Sequence, residues 1–331
     1  MGPRAPKALL FGFALLVVAV LMAVTFGAEP ISLARAISDP RSLDRTIVLS
    51  ARLPRVLLGV VAGGGLAAVG VAFQTLLRNP LAEPYILGVS GGAALGATIA
   101  ILFGVATVTF LGASLIPLAA LGGGLAATAV VYGVARMSRA SHPTSILLAG
   151  VVVNSIASAA ITFLKTLISA AKAQELLFWL MGFLDVPSSG ALASITAYVA
   201  FGSAILLADA GRLNLLSLGD EPAQHLGVDV RALERRTFFA CSLVVGGIVS
   251  VTGLIGFIGL IVPHALRRLF GPDVRVILPA SLLAGGAMLV LCDLLSRVLF
   301  RYLHTEPPVG AVTALLGGPL FLVLLGRKGR I

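Results

Sequence analysis

The charged side chains of this chain are concentrated in a few short stretches, and the densest lies at residues 212–236. It interrupts a sequence that is otherwise almost entirely apolar. Gly219 and Pro222 bracket a short predicted helical run, and small or apolar side chains with a charged rim are the usual composition of a protein-binding surface. The run contains Ala223, Gln224, His225 and Leu226, and the rim contains Asp220, Glu221 and Arg231. We therefore expect the segment to bind a soluble protein; the alternative is a solvated loop without a partner.

Three arginines form a second candidate binding surface. Arg52 and Arg55 flank Pro54, which suits the first turn of a helix, and at i and i+3 the two arginines share one face. Arg297 lies four residues after Asp293 near the end of a later apolar run. Guanidinium groups make bidentate pairs with carboxylates, so we expect a dock for acidic residues of another protein. Anchoring at a membrane interface is the alternative.

Two turns bounded by proline form a third candidate site. Residues 78–84 read Arg-Asn-Pro-Leu-Ala-Glu-Pro, and the prolines end one predicted helix and begin the next. Residues 141–145 read Ser-His-Pro-Thr-Ser and precede a later helix at the matching depth. Either could be a plain connecting turn.

Catalytic or ion-carrying chemistry is not indicated. The four histidines lie in four separate segments and form neither a nucleophile–base pair nor a metal-ligand pattern, so we expect no enzyme activity, metal or cofactor. No glycine is followed by the Lys and Ser or Thr of a phosphate-binding loop. Asp293 is the only Asp, Glu, Lys or Arg within the nine long apolar runs, whereas ion-coupled carriers hold such groups near the membrane midplane. Cys241 and Cys292 are expected to be packing residues.

The elements that carry these residues are membrane helices. Of 331 residues, 58% are hydrophobic and 11% are charged, far from the roughly 25% charged of a soluble domain. Runs of about 20 apolar residues predict nine spans. A shorter run at 256–266, interrupted by Pro263 and His264, predicts a half-helix, and 173–184 predicts an amphipathic interfacial helix. The nine spans are 8–26, 56–77, 85–103, 111–134, 145–164, 191–207, 237–255, 276–295 and 309–325. The fold class is therefore all-α, a single polytopic membrane domain over 1–331 with ten transmembrane helices, one of them short.

The distribution of Lys and Arg predicts the orientation. With the N-terminus inside, fifteen of the 24 basic residues lie in the cytoplasm and nine outside. Both termini are then cytoplasmic, and 212–236 faces the compartment that contains ATP. The formal charge of +10 is mostly this bias, so nucleic-acid binding is not expected.

With these motifs in order, the chain resembles over nearly its whole length the permease subunits of type II ABC importers, the FecCD family. The shared residues are Arg52-Leu53-Pro54-Arg55; Gln74; Asn79-Pro80-Leu81-Ala82 and Pro84; Leu87-Gly88-Val89-Ser90; Leu147-Leu148-Ala149-Gly150; Leu218-Gly219 with Ala223 and Leu226-Gly227; Gly256 to His264 with Arg267; Asp293, Arg297, Glu306 to Gly310 and Thr313-Ala314.

The resemblance implies a homodimer with the pathway on its twofold axis, two cytoplasmic ATPase subunits that hydrolyse the ATP, and a periplasmic or lipid-anchored binding protein. The site residues that it implies are Arg52, Arg55 and Arg297 for docking of the binding protein; Asn79, Leu81, Thr144 and Ser145 for the cytoplasmic gate; and Leu218, Gly219, Asp220, Glu221, Ala223, Gln224, Leu226 and Gly227 for coupling to the ATPases.

The expected function is import of a metal chelate, such as a ferric siderophore, haem or cobalamin, across the bacterial plasma membrane. The residues do not distinguish among these substrates. An ion-coupled secondary transporter is the alternative, and it would show uptake driven by an ion gradient without ATPase subunits.

Overall fold

Apolar runs of about 20 residues become helices in a membrane because a helix satisfies its backbone hydrogen bonds within itself. The computed structural model describes residues 5–104, 109–110, 113–137, 142–185 and 188–326. Its helices are α1 (Ala5–Thr25), α2 (Leu33–Ser38), α3 (Leu43–Thr46), α4 (Leu53–Leu76), α5 (Val89–Leu102), α6 (Ile116–Met137), α7 (His142–Lys165), α8 (Ala170–Met181), α9 (Ser189–Ala208), α10 (Ala210–Leu216), α11 (Asp220–His225), α12 (Val230–Thr252), α13 (Ile258–Phe270), α14 (Val274–Leu303) and α15 (Val309–Gly326). A π-helical segment, Ile47–Arg52, leads into α4, and a two-stranded antiparallel pair, β1 (Thr109–Phe110) and β2 (Ala113–Ser114), precedes α6.

The prediction of an all-α membrane protein is confirmed. Among the described residues, seven helical runs are long and apolar enough to cross a membrane: α1, the run that ends with α4, α6, α7, α9, α12 and α14. The helices α5 and α15 are apolar but shorter, and α13 has 13 residues. Within the described part of the chain these ten agree with the ten predicted. α8 overlaps the helix predicted at 173–184, and its interfacial position stays a prediction. The predicted span 111–134 begins at residues outside the described ranges.

The predicted span 85–103 begins differently in the structure. Pro84–Leu87 form a 3-10 turn, and α5 starts only at Val89. Gly88 separates the two with a φ of 86°, a left-handed conformation that glycine adopts without steric cost. The chain between α4 and α5 is therefore longer and less regular than a simple turn at the membrane surface.

The centre of the bundle is the crossing of α4 and α14. Here Gly63 and Gly285 face each other, and a Cβ atom on either would collide with the backbone carbonyl of the other. Small residues at such a crossing let two helix backbones approach closely, which increases the van der Waals packing between helices in a membrane. Gly63 and Gly285 therefore serve close packing of α4 against α14.

The half-helix α13 continues through Pro263, whereas the sequence predicted an interruption there. A proline has no N–H to donate to the carbonyl four residues earlier, here that of Gly259. The Gln74 side chain on α4 supplies the missing donor, with its Nε2 atom 3.1 Å from the Gly259 oxygen and 3.3 Å from that of Leu260. The helix therefore runs on to Phe270.

Candidate functional site

The 212–236 segment contains a short helix that projects a mixed surface. Leu218 is 64% exposed and Leu226 is 58% exposed, and these two side chains are its large exposed apolar groups. Glu221, Gln224 and His225 are exposed beside them. The arrangement of apolar groups within a polar rim is the one expected for protein contact.

Ala223 does not belong to that surface, which corrects the sequence-based expectation. Its side chain is fully buried in the main core of the bundle. The Val228 N–H donates to the Ala223 carbonyl at 3.0 Å, which closes the turn after α11. Gly219 and Gly227 frame the helix with φ angles of 122° and 84°, values that glycine accommodates at little cost. Ala223 therefore anchors α11 to the bundle.

The segment is also linked to the turn after α4. The Arg78 guanidinium lies 3.0 Å from Oδ1 of Asp220, the first residue of α11. Next to Arg78, the Asn79 side chain accepts a hydrogen bond from the Leu81 N–H at 2.9 Å, and Leu81 is 42% exposed. Two of the predicted gate residues therefore lie beside an ion pair to the predicted coupling segment.

The other two predicted gate residues lie at the start of α7. Thr144 is exposed and Ser145 is buried, and both line a cavity of about 400 Å³ between α6 and α7. Neither Asn79 nor Leu81 lines that cavity. Ser141 lies outside the described residues. In the described part of one chain the two pairs do not form a common site, so the shared gate remains a prediction.

A polar network that sequence reasoning missed holds the irregular stretch before α5 inside the bundle. Glu83 accepts a hydrogen bond from the Phe257 N–H just before α13, and the Tyr85 hydroxyl accepts one from the Ile255 N–H at 2.7 Å. Asn154 of α7 donates to the Tyr85 carbonyl at 2.7 Å and accepts from the Gly91 N–H at 3.2 Å. Buried backbone outside regular helices needs such partners.

Glu83 therefore lies deeper than its place in the sequence suggested. The neighbouring Gly259 packs against Gly70 of α4. Gly70 is about 9 Å along the helix from its end at Leu76, at 1.5 Å per residue. A carboxylate beside the N-terminus of α13 is favoured by the helix dipole. In the sequence, the only indication of this position was the pair of prolines that flank residues 81–83, and hydropathy does not interpret such a pair.

One face of α7 forms the wall of an open groove of about 890 Å³. The wall is mixed: Asn154, Ser155, Ser158, Thr162 and Thr166 line it over about three helical turns together with Tyr85, and Val151, Ala159 and Phe163 form its apolar part. Ser155 and Thr162 donate to backbone carbonyls of their own helix, each at 2.9 Å. Polar side chains on a membrane helix generally face protein or water rather than lipid.

At the opposite end of α4, the three predicted docking arginines are largely buried. Arg52 is 5% exposed and donates to the carbonyls of Val24 and Thr25, each at 2.8 Å, and to that of Glu29. These bonds hold the segment after α1 against the start of α4. In this conformation Arg52 serves the fold of its own chain.

Arg55 and Arg297 pair with the buried carboxylate of Asp293. The Arg55 Nη2 atom lies 2.7 Å from Asp293 Oδ1, and the Arg297 Nε atom lies 2.9 Å from Oδ2, although its N–H is poorly aligned for a hydrogen bond. Arg55 also pairs with Glu306, and Arg297 donates to the Ala23 carbonyl at 3.2 Å. The cluster joins α4, α14 and the loop before α15. A docking role for its arginines remains a prediction.

Comparison with known proteins decides the family. The model of the FecCD transport family matches residues 15–327. The chain belongs to the FecCD transport family. This FecCD permease is 42% identical over 281 residues to the cobalamin import system permease protein BtuC of Halobacterium salinarum, covering 85% of this chain and 73% of that one. It is 37% identical to the hemin transport system permease protein HmuU of Yersinia pestis, covering 99% and 98%.

A solved structure gives the same result at the level of the fold. It is described as an inward-facing conformation of a metal-chelate type ABC transporter, and it aligns with this FecCD permease at a TM-score of 0.86 and 32% identity. The alignment covers 97% of this chain and 99% of the other. The ABC permease fold predicted from the sequence is confirmed.

Proposed function

We propose that this FecCD permease is the membrane subunit of an ATP-driven importer of metal chelates. The observation that carries the proposal is the exposed apolar pair of Leu218 and Leu226 on a charged segment outside the apolar helices. Two cytoplasmic ATPase subunits would bind this surface on two copies of the chain. ATP hydrolysis would belong to those partners. Both termini of the permease would lie in the cytoplasm of a bacterial cell.

The groove along α7 supports a homodimeric pathway. It is open on one side of a single chain, and its mixture of small hydroxyl and apolar side chains is typical of a surface that packs against another membrane helix. A second copy across a twofold axis would cover the groove and turn it into a passage between two chains. The gate formed by Asn79, Leu81, Thr144 and Ser145 would then be shared between the two copies.

The names of the relatives support a chemical class of substrate for this chain and do not select one member of that class. The two relatives described above are named for cobalamin and for hemin, and a third, from Bacillus subtilis, is named for Fe(3+)-citrate at 36% identity. The identities of this chain to the three relatives are too close to one another to select one substrate. We propose a chelated metal, delivered by a periplasmic or lipid-anchored binding protein.

The outer arginine cluster would receive that binding protein. Arg55 is the best placed of the three arginines because its partner Glu306 is 31% exposed and could be replaced by a carboxylate from outside. Arg52 and Arg297 would become available only if the segment after α1 moved. Docking at this cluster therefore implies an exchange of ion pairs.

Reconstitution in proteoliposomes with the cognate ATPase and binding protein tests the proposal. Uptake of cyanocobalamin, haemin and ferric citrate is measured separately, with and without ATP inside the vesicles. We expect ATP-dependent uptake of one chelate and none without the ATPase subunit. Uptake driven by an ion gradient in the absence of the ATPase would support the secondary-transporter alternative instead.

A further inference from the structure

Arg78 adopts a backbone conformation that is unusual for its residue type. Its φ is 47°, and it follows α4 in the position where helices commonly end with glycine. The Arg78 N–H donates to the Thr75 carbonyl at 3.2 Å, and the Asn79 N–H donates to the Gln74 carbonyl at 3.1 Å. These two bonds form a Schellman motif. Glycine would satisfy this motif with less strain, so the presence of arginine indicates a use for its side chain.

The side chain of Arg78 crosses to the coupling segment. Its guanidinium pairs with Asp220 at 3.0 Å, and the side chains of the pair are 35% and 40% exposed. A pair this exposed contributes little to stability. It does, however, join two elements that are 142 residues apart in the sequence, the end of α4 and the start of α11.

The end of α4 is in turn tied to α13. Arg267 on α13 pairs with the Gln74 side chain and donates to Thr75 Oγ1 at 3.2 Å. Gln74 itself bonds the carbonyls of Gly259 and Leu260. A displacement of the Arg78 backbone would therefore move both the turn at 79–82 and the half-helix.

We propose that Arg78 is a positioning residue that transmits movement of α11 to the turn at 79–82 through its ion pair with Asp220. The inference rests on the proposed function, because it requires an ATPase that moves α11. The ion pair connects the two elements directly. An ATPase bound to Leu218 and Leu226 would displace Asp220, and Arg78, at the cytoplasmic end of α4, would move with it.

The test uses variants that keep the backbone intact. Asn accepts the left-handed conformation more readily than Arg, so Arg78→Asn removes the charge without adding strain. Asp220→Asn removes the other charge. The two single variants and the double variant are compared with Arg275→Gln, which breaks an ion pair to Asp273 that is confined to one helix start.

Each variant is reconstituted with the ATPase and binding protein, and uptake of cyanocobalamin, haemin and ferric citrate is divided by ATP hydrolysed. We expect each single variant to lower this ratio by about two- to fivefold, the range available to an exposed pair. The double variant should be no worse than either single one, because both remove the same interaction. Copurification of the ATPase with Arg78→Asn and the ratio for Arg275→Gln should be unchanged.

A second readout needs no substrate. Leu81→Cys places an exposed thiol in the turn, and Cys241 and Cys292 are buried, so labelling by an impermeant maleimide reports mainly on position 81. Its rate should depend on nucleotide in the otherwise unmodified protein, and Asp220→Asn should weaken that dependence.

Unchanged transport ratios in both single variants, with unchanged nucleotide dependence of labelling in Asp220→Asn, would overturn the role of Arg78. Strictly additive losses in the double variant would overturn it as well. The proposed function would instead be overturned if the protein with both Arg78 and Asp220 intact showed neither ATP-dependent uptake nor nucleotide-dependent labelling. The two failures are therefore distinguishable.

Discussion

Removing the carboxylate of Asp293 should destabilise the protein strongly. The Asp293 side chain is 1% exposed, and those of its partners Arg55 and Arg297 are 14% and 7% exposed. In Asp293→Asn the side-chain oxygen would still accept a hydrogen bond, but its negative charge would be lost. Arg297 would then lack a carboxylate partner, and Arg55 would pair only with the partly exposed carboxylate of Glu306. Two guanidinium groups would then share one carboxylate in a mostly buried cluster.

The magnitude follows from this burial. Removing one partner of a buried ion pair costs about 3–5 kcal/mol, because the remaining charge stays desolvated. We expect the lower end, about 3 kcal/mol, since Glu306 still neutralises Arg55. The matched control is Asp273→Asn, which breaks an exposed pair with Arg275 and should cost about 0–1 kcal/mol.

Replacing the whole cluster separates stability from docking. The triple variant Asp293→Leu with Arg55→Met and Arg297→Met leaves no buried charge at these positions, and such replacements are often neutral. We expect the free energy of unfolding of the triple variant to lie within about 1 kcal/mol of that of the unmodified protein. If the arginines also dock the binding protein, the triple variant should be stable and yet bind that protein weakly.

The free energy of unfolding is measured by titrating SDS into the protein in mild-detergent micelles and following helicity. Binding-protein affinity is measured on the same preparations over a range of salt concentrations. If the free energy of unfolding of Asp293→Asn were no lower than that of Asp273→Asn, the assigned role of the cluster would be refuted. A stable triple variant with unchanged affinity for the binding protein would refute docking at these arginines.

Three further outcomes are expected. Leu226→Asp places a charge in the exposed apolar surface of α11 and should abolish copurification of the ATPase without lowering thermal stability; intact copurification would exclude this surface. Cysteines at Asn79 and Thr144 should crosslink between two copies in one nucleotide state and not in another, since alternating access needs two discrete packings, and equal crosslinking in every state would contradict a shared gate. Gln74→Leu leaves the buried Gly259 carbonyl without its donor and should cost about 1–3 kcal/mol of unfolding free energy, a prediction that an unchanged SDS midpoint would contradict.

The sequence alone determined the architecture. Runs of apolar residues located the membrane helices, and the run at 256–266 was too short to cross, as α13 confirms with its 13 residues. These features are local: whether a stretch can span a membrane depends on its own length and composition. The ordered motifs also identified the family, which the match over residues 15–327 confirms.

Only the tertiary structure decided what the polar side chains do. Arg55 and Asp293 are 238 residues apart and meet because α4 and α14 pack through their glycines. Ala223 looked like a contact residue and is buried, and Glu83 looked like part of a surface turn and reaches the start of α13. Hydropathy reports whether a segment prefers lipid, but the partner of a charge is set by which helices lie beside it. That arrangement depends on contacts summed over the whole bundle.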